Sequence, residues 1–499
     1  MQQTRLTRLS AIMTNFLASR LCWALICALF VIESLWLACS VVYPMAFDEQ
    51  FHFGLIQLHA QQILPFFTSQ PPTGAYGAVA RDPSYLYHWL MSLPYRGILL
   101  FTHDQTIQVI GLRCINVALF GAGLVLYRRL MRRMGLSAAF THSALLLFIL
   151  VPTVPFLAAT INYDNLIVLI VPWITLLALD VLAAFHKRQI PLARLLVLLS
   201  VLLLGSIVKY AILPVLAIVC TFLAILAWKY RLMTHVTWSL ALKQLRTMQL
   251  VKRLLLIMLL VVSLGLFGER YLINIVRYHT PVPACEQVMS KQLCSQYAPS
   301  SRDYTYEAAK TSVFRPNIAM YTGTWLHGMW YRLFFAISFT YENYPPLFTI
   351  SRAAIGVVVL IGIGVAFRVR LIFAGHPERL LILLVILGYG LTLYLDNYAE
   401  YVETGVGVAI NGRYWIPFLP FIGLLGGFAW SDILRRLPAA KTSVAAIVLV
   451  VFLLQGGGAM TFIVRSNDDW YWPNETVRRL NRDVRAMVSP MIIGKNLPD

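Results

Sequence analysis

The sequence predicts an all-α protein whose helices cross a membrane about eleven times. Of its 499 residues, 59% are hydrophobic and 13% are charged, whereas soluble domains are about 45–50% apolar and about 25% charged. The apolar residues form runs of about 18 residues or more, which is long enough to span a bilayer. Lys and Arg gather between alternate runs, as in membrane proteins. These features exclude a soluble enzyme, a disordered chain and a secreted disulfide scaffold.

Eleven apolar stretches are predicted to be spans. They lie near 21–43, 106–127, 136–156, 165–185, 191–208, 210–228, 252–273, 347–366, 379–395, 413–431 and 442–464. The stretch 191–229 has two interpretations, either two short helices or one helix followed by a segment on the membrane surface. The spans form one membrane module over 1–464, and 465–499 is a short tail.

The basic charge gives the orientation. With the N-terminus in the cytoplasm, the predicted inner segments hold 22 of the 41 Lys and Arg residues and three of the 22 Asp and Glu residues. This difference accounts for the whole net charge of +19, so the charge reflects membrane topology and predicts no nucleic-acid partner. An odd number of spans places the C-terminal tail outside. The pattern suits a bacterial inner membrane.

The two sides of the membrane differ in what they can bind. The inner loops are short and contain neither a GxxxxGK[ST] loop nor a strand followed by GxGxxG, the usual nucleotide-binding motifs. Any donor substrate must therefore be a membrane lipid or come from outside. Two long outer loops, about 44–105 and 274–346, are rich in Tyr, Trp and Pro. Loops of this length are usually functional, and we expect interfacial helices in both.

An acidic pair, Asp48 and Glu49, follows the first span. Charges close to a membrane are expensive and usually functional. The alternative is that they cap the helix that follows, because Asp suits an N-cap and Glu the first turn. Capping and catalysis are compatible.

His52 follows Asp48 by four residues and Glu49 by three, and His59 lies seven residues further on. On a helix, these side chains would share one face. Three interpretations remain open: ligands of a divalent metal, solvated histidines of an interfacial helix, or a His52 that orients Asp48.

Four further motifs fall at predicted outer helix ends or loops: 82–90 (DPSYLYHWL), 162–165 (NYDN), 206–210 (SIVKY) and 411–417 (NGRYWIP). With the Asp-Glu pair, and in this order, they resemble the GT-C membrane glycosyltransferases. The similarity is to the protein O-mannosyltransferase and lipid A aminoarabinose transferase group and related bacterial families, over most of 1–430. Asp82 replaces the first Pro of the family's Pro-Pro-Leu-Tyr-Tyr-Trp-like stretch. The tail has no counterpart, and the large soluble C-terminal domain of some members is absent.

This resemblance implies an inverting glycosyltransferase that takes a sugar from a polyprenyl-phosphate donor. The acceptor would be a glycan, a lipid or a protein at the outer face of the membrane. Asp48 would be the general base that removes the acceptor's proton. Glu49 would orient the acceptor or stabilise nearby positive charge.

The lipid phosphate needs cations at the membrane surface, and the resemblance assigns Lys209 and Arg413 to this role. The alternative is that both extend to lipid headgroups. Arg81 and Arg270 are weaker candidates. The residues expected to position donor or acceptor are Asp164, His52, Tyr85 and Tyr414. Asp164 has an alternative role as a helix cap. No cofactor and no definite metal ligand follow from these residues.

Two pairings are expected outside this set. Glu33 and Arg113 are the most membrane-buried charges in the predicted spans, so we expect them to pair with each other. Cys285 and Cys294 lie in the second outer loop, where an oxidising compartment would favour a disulfide. The other five cysteines fall in spans.

A membrane transporter or lipid flippase without transferase activity is the alternative function. Such a protein would line a path near the middle of the membrane with ionisable residues, and many contain inverted repeats. The sequence has few central charges and no evident inverted repeat. This favours chemistry at one face.

Overall fold

The computed structural model describes residues 11–67, 69–310, 314–334, 337–339, 342–344, 348–435 and 457–493. Its α-helices are Arg20–Ser40, Glu49–Ala60, Leu86–Leu99, Gln105–Arg133, Ala138–Ile149, Thr153–Ala158, Asp164–His186, Leu192–Val208, Leu213–Lys229, His235–Thr247, Leu250–Phe267, Ile273–Tyr278, Cys285–Val288, Lys291–Cys294, Ala298–Ala309, Ile318–Phe334, Phe348–Phe367, Val369–Phe373, Pro377–Thr404, Leu419–Arg435, Met460–Arg465 and Glu475–Ile493. A π-helix spans Gly268–Leu272, and 3-10 helices span Tyr210–Ile212, Gly412–Phe418 and Asp468–Trp470. Two three-residue strands, Ile337–Phe339 and Glu342–Tyr344, pair antiparallel.

Seven helices in the described ranges are long and apolar enough to cross a membrane. They are Arg20–Ser40, Gln105–Arg133, Asp164–His186, Tyr210–Lys229, Leu250–Tyr278, Pro377–Thr404 and Gly412–Ile433. Three shorter apolar helices accompany them, over Ala138–Ile149, Leu192–Val208 and Val358–Phe367. The predicted class, a helical multi-pass membrane protein, is confirmed. The count of eleven stays a prediction, because most of the predicted span 442–464 lies outside the described residues.

Two predicted spans differ in detail. The stretch 191–229 forms two helices, and the chain breaks between them at Lys209, whose backbone is extended with φ −150°. The predicted span 136–156 is instead a short helix that ends at Ile149, followed by a separate turn of helix over Thr153–Ala158. Pro152 stands at this break, and a proline lacks the N–H that would continue the helical hydrogen bonding.

The centre of the bundle is formed by the helices Gln105–Arg133 and Asp164–His186. They approach closely at Gly123, where an added Cβ would lie 2.7 Å from the carbonyl oxygen of Val168. By contrast, the Leu250–Phe267 helix buries little of its apolar surface and packs mainly on Leu192–Val208. Its exposed leucines and valines suit contact with lipid, which is as apolar as they are.

The two long loops that were predicted to lie outside pack against each other. Cys285 and Cys294 form a disulfide in the second loop. Close by, the side-chain carbonyl of Gln296 accepts a hydrogen bond from the backbone N–H of Gly74, at 3.1 Å. The rings of Phe51 and Tyr297 lie 5.7 Å apart. The second loop thereby covers one side of the helix that follows Asp48.

Gly123→Ala should destabilise the bundle by about 1–3 kcal/mol, because the added methyl group meets backbone that cannot rotate away. Gly265→Ala is the matched control, since nothing lies within 4 Å of its added Cβ. Alanine is the better helix former, so the control should be as stable as the native chain or more stable. The measurement is the apparent melting temperature in detergent. Equal losses in both variants would contradict the packing described.

Candidate active site

Asp48 stands at a sharp turn between the first span and the helix Glu49–Ala60. Phe47 and Asp48 both have left-handed backbone, with φ of 61° and 62°, which is uncommon for residues other than glycine. The Asp48 carbonyl accepts a hydrogen bond from the N–H of His52, but its side chain makes no capping hydrogen bond. The cap proposed as an alternative is therefore not formed by the carboxylate. Strained backbone of this kind is often found at functional sites.

The Asp48 carboxylate is held by Arg413. Its Oδ2 accepts a hydrogen bond from Nη2 of Arg413 at 2.6 Å. The Asp48 side chain remains 64% exposed, whereas that of Arg413 is 6% exposed. Asn411 fixes the start of the Gly412–Phe418 helix by accepting from the N–H of Arg413. The acid is thus oriented from one side and open on the other.

Glu49 has a different environment from its neighbour. Its two oxygens accept hydrogen bonds from Nε and Nη2 of Arg113 at 2.8 and 2.7 Å, and both side chains are fully buried. The N–H groups of Met45 and Ile161 also donate to it. Arg113 donates its remaining hydrogen bonds to backbone carbonyls, including that of Val41. Protein N–H groups therefore donate hydrogen bonds to both oxygens of Glu49. The positive charge that Glu49 stabilises is the guanidinium of Arg113.

The expected pairing of Glu33 with Arg113 is wrong. The loop after the first span folds back over the bundle and brings Glu49 to Arg113, with which it forms a two-pronged ion pair. Glu33 instead lies against Gly458, where a Cβ added to the glycine would be 2.5 Å from its Oε1. Sequence position alone could not show which carboxylate, Glu33 or Glu49, pairs with the Arg113 guanidinium.

Lys209 and Asp164 form a second ion pair near Asp48, with 2.5 Å between Nζ and Oδ1, and both side chains are buried. The Lys209 ammonium lies between two aromatic rings, 4.8 Å from the centre of Tyr163 and 4.5 Å from that of Tyr414. Tyr414 is also 5.3 Å from the guanidinium carbon of Arg413. Its ring therefore joins the two predicted phosphate-binding cations into one cluster. Asp164 begins its helix, but Tyr163 occupies the N-cap position.

His52 pairs with His88 and not with Asp48. Nδ1 of His52 lies 2.8 Å from Nε2 of His88, and the edge of His52 meets Tyr163, with ring centres 4.7 Å apart. Burial lowers the pKa of both histidines, and the positive charges of Arg413 and Lys209 lower that of His52 further. Both rings are therefore neutral at pH 7.

One interpretation of His52 and His59 was a metal site, but the described part of the chain offers no set of ligands for it. No three His, Cys, Asp or Glu side chains there lie close enough together to hold an ion. His59 stands apart from His52, edge-on to Phe66 with ring centres 5.2 Å apart.

Tyr85 lies outside the Lys209–Arg413 cluster. The Arg270 guanidinium carbon is 4.2 Å from the centre of its ring, and Arg270 donates hydrogen bonds to the carbonyls of Ala80 and Phe66. Arg81 pairs with Glu269 at 2.6 Å. These two arginines link the first long loop to the Leu250–Tyr278 span.

Sequence reasoning missed Tyr163 and His88. Tyr163 stands inside the NYDN motif, directly before the candidate Asp164, and its aromatic ring can bind a cation. His88 belongs to the DPSYLYHWL motif. Its partner His52 is 36 residues away, and no spacing rule links two histidines over that distance.

Comparison with known proteins gives one distant likeness. No protein-family model matches the chain, and no curated protein matches it. The solved structure of ArnT from Cupriavidus metallidurans in the apo state is similar over 95% of this chain and 75% of that chain, with a TM-score of 0.43 and 13% sequence identity. A likeness this distant assigns neither a residue's role nor an activity.

Glu49→Gln should destabilise the protein by about 3–5 kcal/mol, because it leaves the Arg113 guanidinium buried without its counter-charge. Lys291→Gln is the control, since its ion pair with Glu286 is exposed and such pairs contribute little. The apparent melting temperature in detergent measures both. A Glu49→Gln variant as stable as Lys291→Gln would contradict the structural role of the pair.

Stability should fall at acidic pH, in part through His59. Burial, together with the nearby charges of Arg270 and Arg96, lowers the pKa of His59 from about 6.5 to about 4. A depressed histidine pKa means that the neutral form is favoured by folding. The associated stability is therefore complete above about pH 6.5 and is lost as the pH falls towards 4.

In His59→Gln, the decrease in melting temperature between pH 7 and pH 5 should be smaller than in the native chain. It should not vanish, because His52 and His88 are also buried and neutral. An unchanged pH profile would show that His59 is not responsible.

Proposed function

We propose that the protein is a membrane glycosyltransferase that moves a sugar from a polyprenyl-phosphate donor to an acceptor hydroxyl, with inversion at the anomeric carbon. The observation that carries the proposal is the cluster at one face, in which an open carboxylate, Asp48, adjoins two buried cations, Arg413 and Lys209. A base next to cations at the membrane surface is what sugar transfer from a lipid phosphate requires. The resemblance of the sequence motifs to GT-C enzymes supports the same reaction.

Asp48 acts as the general base in this mechanism. It takes the proton of the acceptor hydroxyl as the acceptor oxygen bonds to the anomeric carbon. Arg413 holds Oδ2 of Asp48 and so directs the other carboxylate oxygen outward, towards an incoming acceptor. The exposure of the Asp48 side chain supports this role, because a base must reach its substrate.

The leaving group is the polyprenyl phosphate. As the bond between the anomeric carbon and the phosphate oxygen breaks, its electron pair passes to that oxygen, and the new negative charge needs pre-arranged cations. Lys209 supplies a point charge, and Arg413 has further N–H groups, including an Nε with no protein hydrogen-bond partner. Tyr414 lies between the two cations, and Asp164 keeps Lys209 in place.

Topology supports a lipid-linked donor. The positive-inside pattern supports an orientation in which the Asp48 face lies outside the cytoplasm, where soluble nucleotide sugars are not available. The donor is then a membrane lipid that carries its sugar on the outer leaflet, and the enzyme is one of the bacterial inner membrane.

The first test is to identify the lipids that co-purify with the protein by mass spectrometry. We expect a polyprenyl phosphate or its glycoside with the native chain and its loss in Lys209→Ala and Arg413→Ala. Arg277→Ala is the control, because Arg277 lies outside the cluster. Absence of such a lipid from the native protein, in a detergent that retains other lipids, would count against the proposal and in favour of a transporter.

Asp48→Asn should keep the shape of the side chain and the donor lipid but reduce sugar transfer by about 10²–10⁴-fold, the usual contribution of a general base. Asp104→Asn, at an exposed helix cap, is the control and should retain full activity. Transfer is measured in membranes with the donor identified above. Undiminished transfer by Asp48→Asn would exclude Asp48 as the base.

A further inference from the structure

The C-terminal tail is hydrogen-bonded to the segment that leads into Asp48. Val41 and Tyr471 form an antiparallel β-bridge. On either side of it, the N–H of Val42 donates to the carbonyl of Trp470 at 3.0 Å, and the N–H of Trp472 donates to that of Ser40 at 3.1 Å. The tail therefore pairs with the chain at the end of the first span, a few residues before the Asp48 turn.

The tail also covers the buried ion pair that fixes this turn. The Trp472 ring faces the Arg113 guanidinium, with 5.9 Å from its carbon to the ring, and Arg113 in turn holds Glu49. Trp470 of the tail packs on Phe462, just before the tail, with ring centres 5.0 Å apart. Phe462 contacts Phe156 with ring centres 5.3 Å apart, and Phe156 contacts Phe47 at 5.6 Å. Two separate paths thus connect the tail to the residues beside Asp48.

The last described helix, Glu475–Ile493, is attached near the end of the first span. The side chain of Asn481 accepts a hydrogen bond from the indole N–H of Trp36 at 2.8 Å. Trp36 is four residues from the end of its span, which is roughly 6 Å along a helix. The helix is therefore attached within about one turn of the end of the first span.

This helix has one face that packs against the protein and one face that is exposed. Val477, Asn481 and Val488 face the protein and are at least half-buried, whereas Leu480 and Met487 are 50% and 66% exposed. Leu480 and Met487 are seven residues apart and so share one face. The helix carries four arginines and two acidic residues. An exposed apolar edge with flanking arginines is the pattern of helices that lie in a membrane interface.

We propose that the helix Glu475–Ile493 binds an anionic phospholipid surface at the membrane face that carries Asp48, and that the tail thereby holds the Asp48 turn in place. Arg478 and Arg479 would contact lipid phosphates, each lysine or arginine near such a surface contributing about 1 kcal/mol. Leu480 and Met487 would enter the acyl boundary. Arg482 is already paired with Asp468 and Glu475, so it stabilises the tail itself. This proposal does not depend on the reaction catalysed.

The lipid contact is tested by hydrogen–deuterium exchange of the full chain in nanodiscs of phosphatidylcholine alone and of phosphatidylcholine mixed with phosphatidylglycerol. Amides of 477–490 should exchange several-fold more slowly in the anionic discs. The difference should disappear in the Arg478→Gln/Arg479→Gln double variant and persist in Lys291→Gln. Equal exchange in both kinds of disc would overturn the lipid contact. So would protection that depends on the number of protein copies per disc, because that would indicate a second chain as the partner.

The mechanical link is tested by Trp472→Ala in the anionic discs. Exchange in 41–53 should become several-fold faster, while the central helix 105–133 keeps its protection. Trp472→Phe retains a ring over Arg113, so its exchange rate in 41–53 should lie between those of the native chain and Trp472→Ala. Trp228→Ala, which removes a 77% exposed Trp far along the chain, is the control and should change nothing in 41–53. Unchanged exchange in 41–53 of Trp472→Ala would overturn the link, whether or not the protein transfers sugar.

Discussion

The buried pair of Glu49 and Arg113 is the interaction on which the candidate site depends. Two charges without access to water are stable together only when every lone pair and N–H is satisfied. Here two backbone N–H groups complete Glu49, and carbonyls from the end of the first span complete Arg113. The pair therefore joins three segments that are distant in sequence. The position of Asp48, one residue before Glu49, follows from it.

The adjacent acids show how environment separates two similar side chains. Glu49 is saturated by protein donors, whereas Asp48 has one oxygen on Arg413 and a side chain that is largely exposed. The left-handed turn at Phe47 and Asp48 immediately precedes Glu49, and the two acids bind different arginines, Asp48 with Arg413 and Glu49 with Arg113. Under the proposed mechanism, catalysis and structural support are divided between these two neighbours.

The candidate site is electrically balanced before any substrate binds. Arg413 faces Asp48, and Lys209 faces Asp164, so two cations are matched by two carboxylates around the Tyr414 ring. Under the proposed mechanism, the phosphate of the donor would add negative charge to this balanced cluster. The tail also reaches the Asp48 turn, and it does so from the membrane surface under the proposed lipid contact.

The sequence by itself determined what depends on local composition and spacing. It gave the membrane helices and the motifs around Asp48, Asp164, Lys209 and Arg413, because apolar runs and charged helix ends are visible residue by residue. The tertiary structure decided which charges meet. Arg413 reaches Asp48 across 365 positions and Arg113 chooses Glu49 over Glu33, since partners so far apart are selected by helix packing and by the backbone turn at Asp48. Neither the helix packing nor the turn at Asp48 leaves a periodic pattern in the sequence. For the same reason, the contact of the tail with the first span could not be predicted from the sequence.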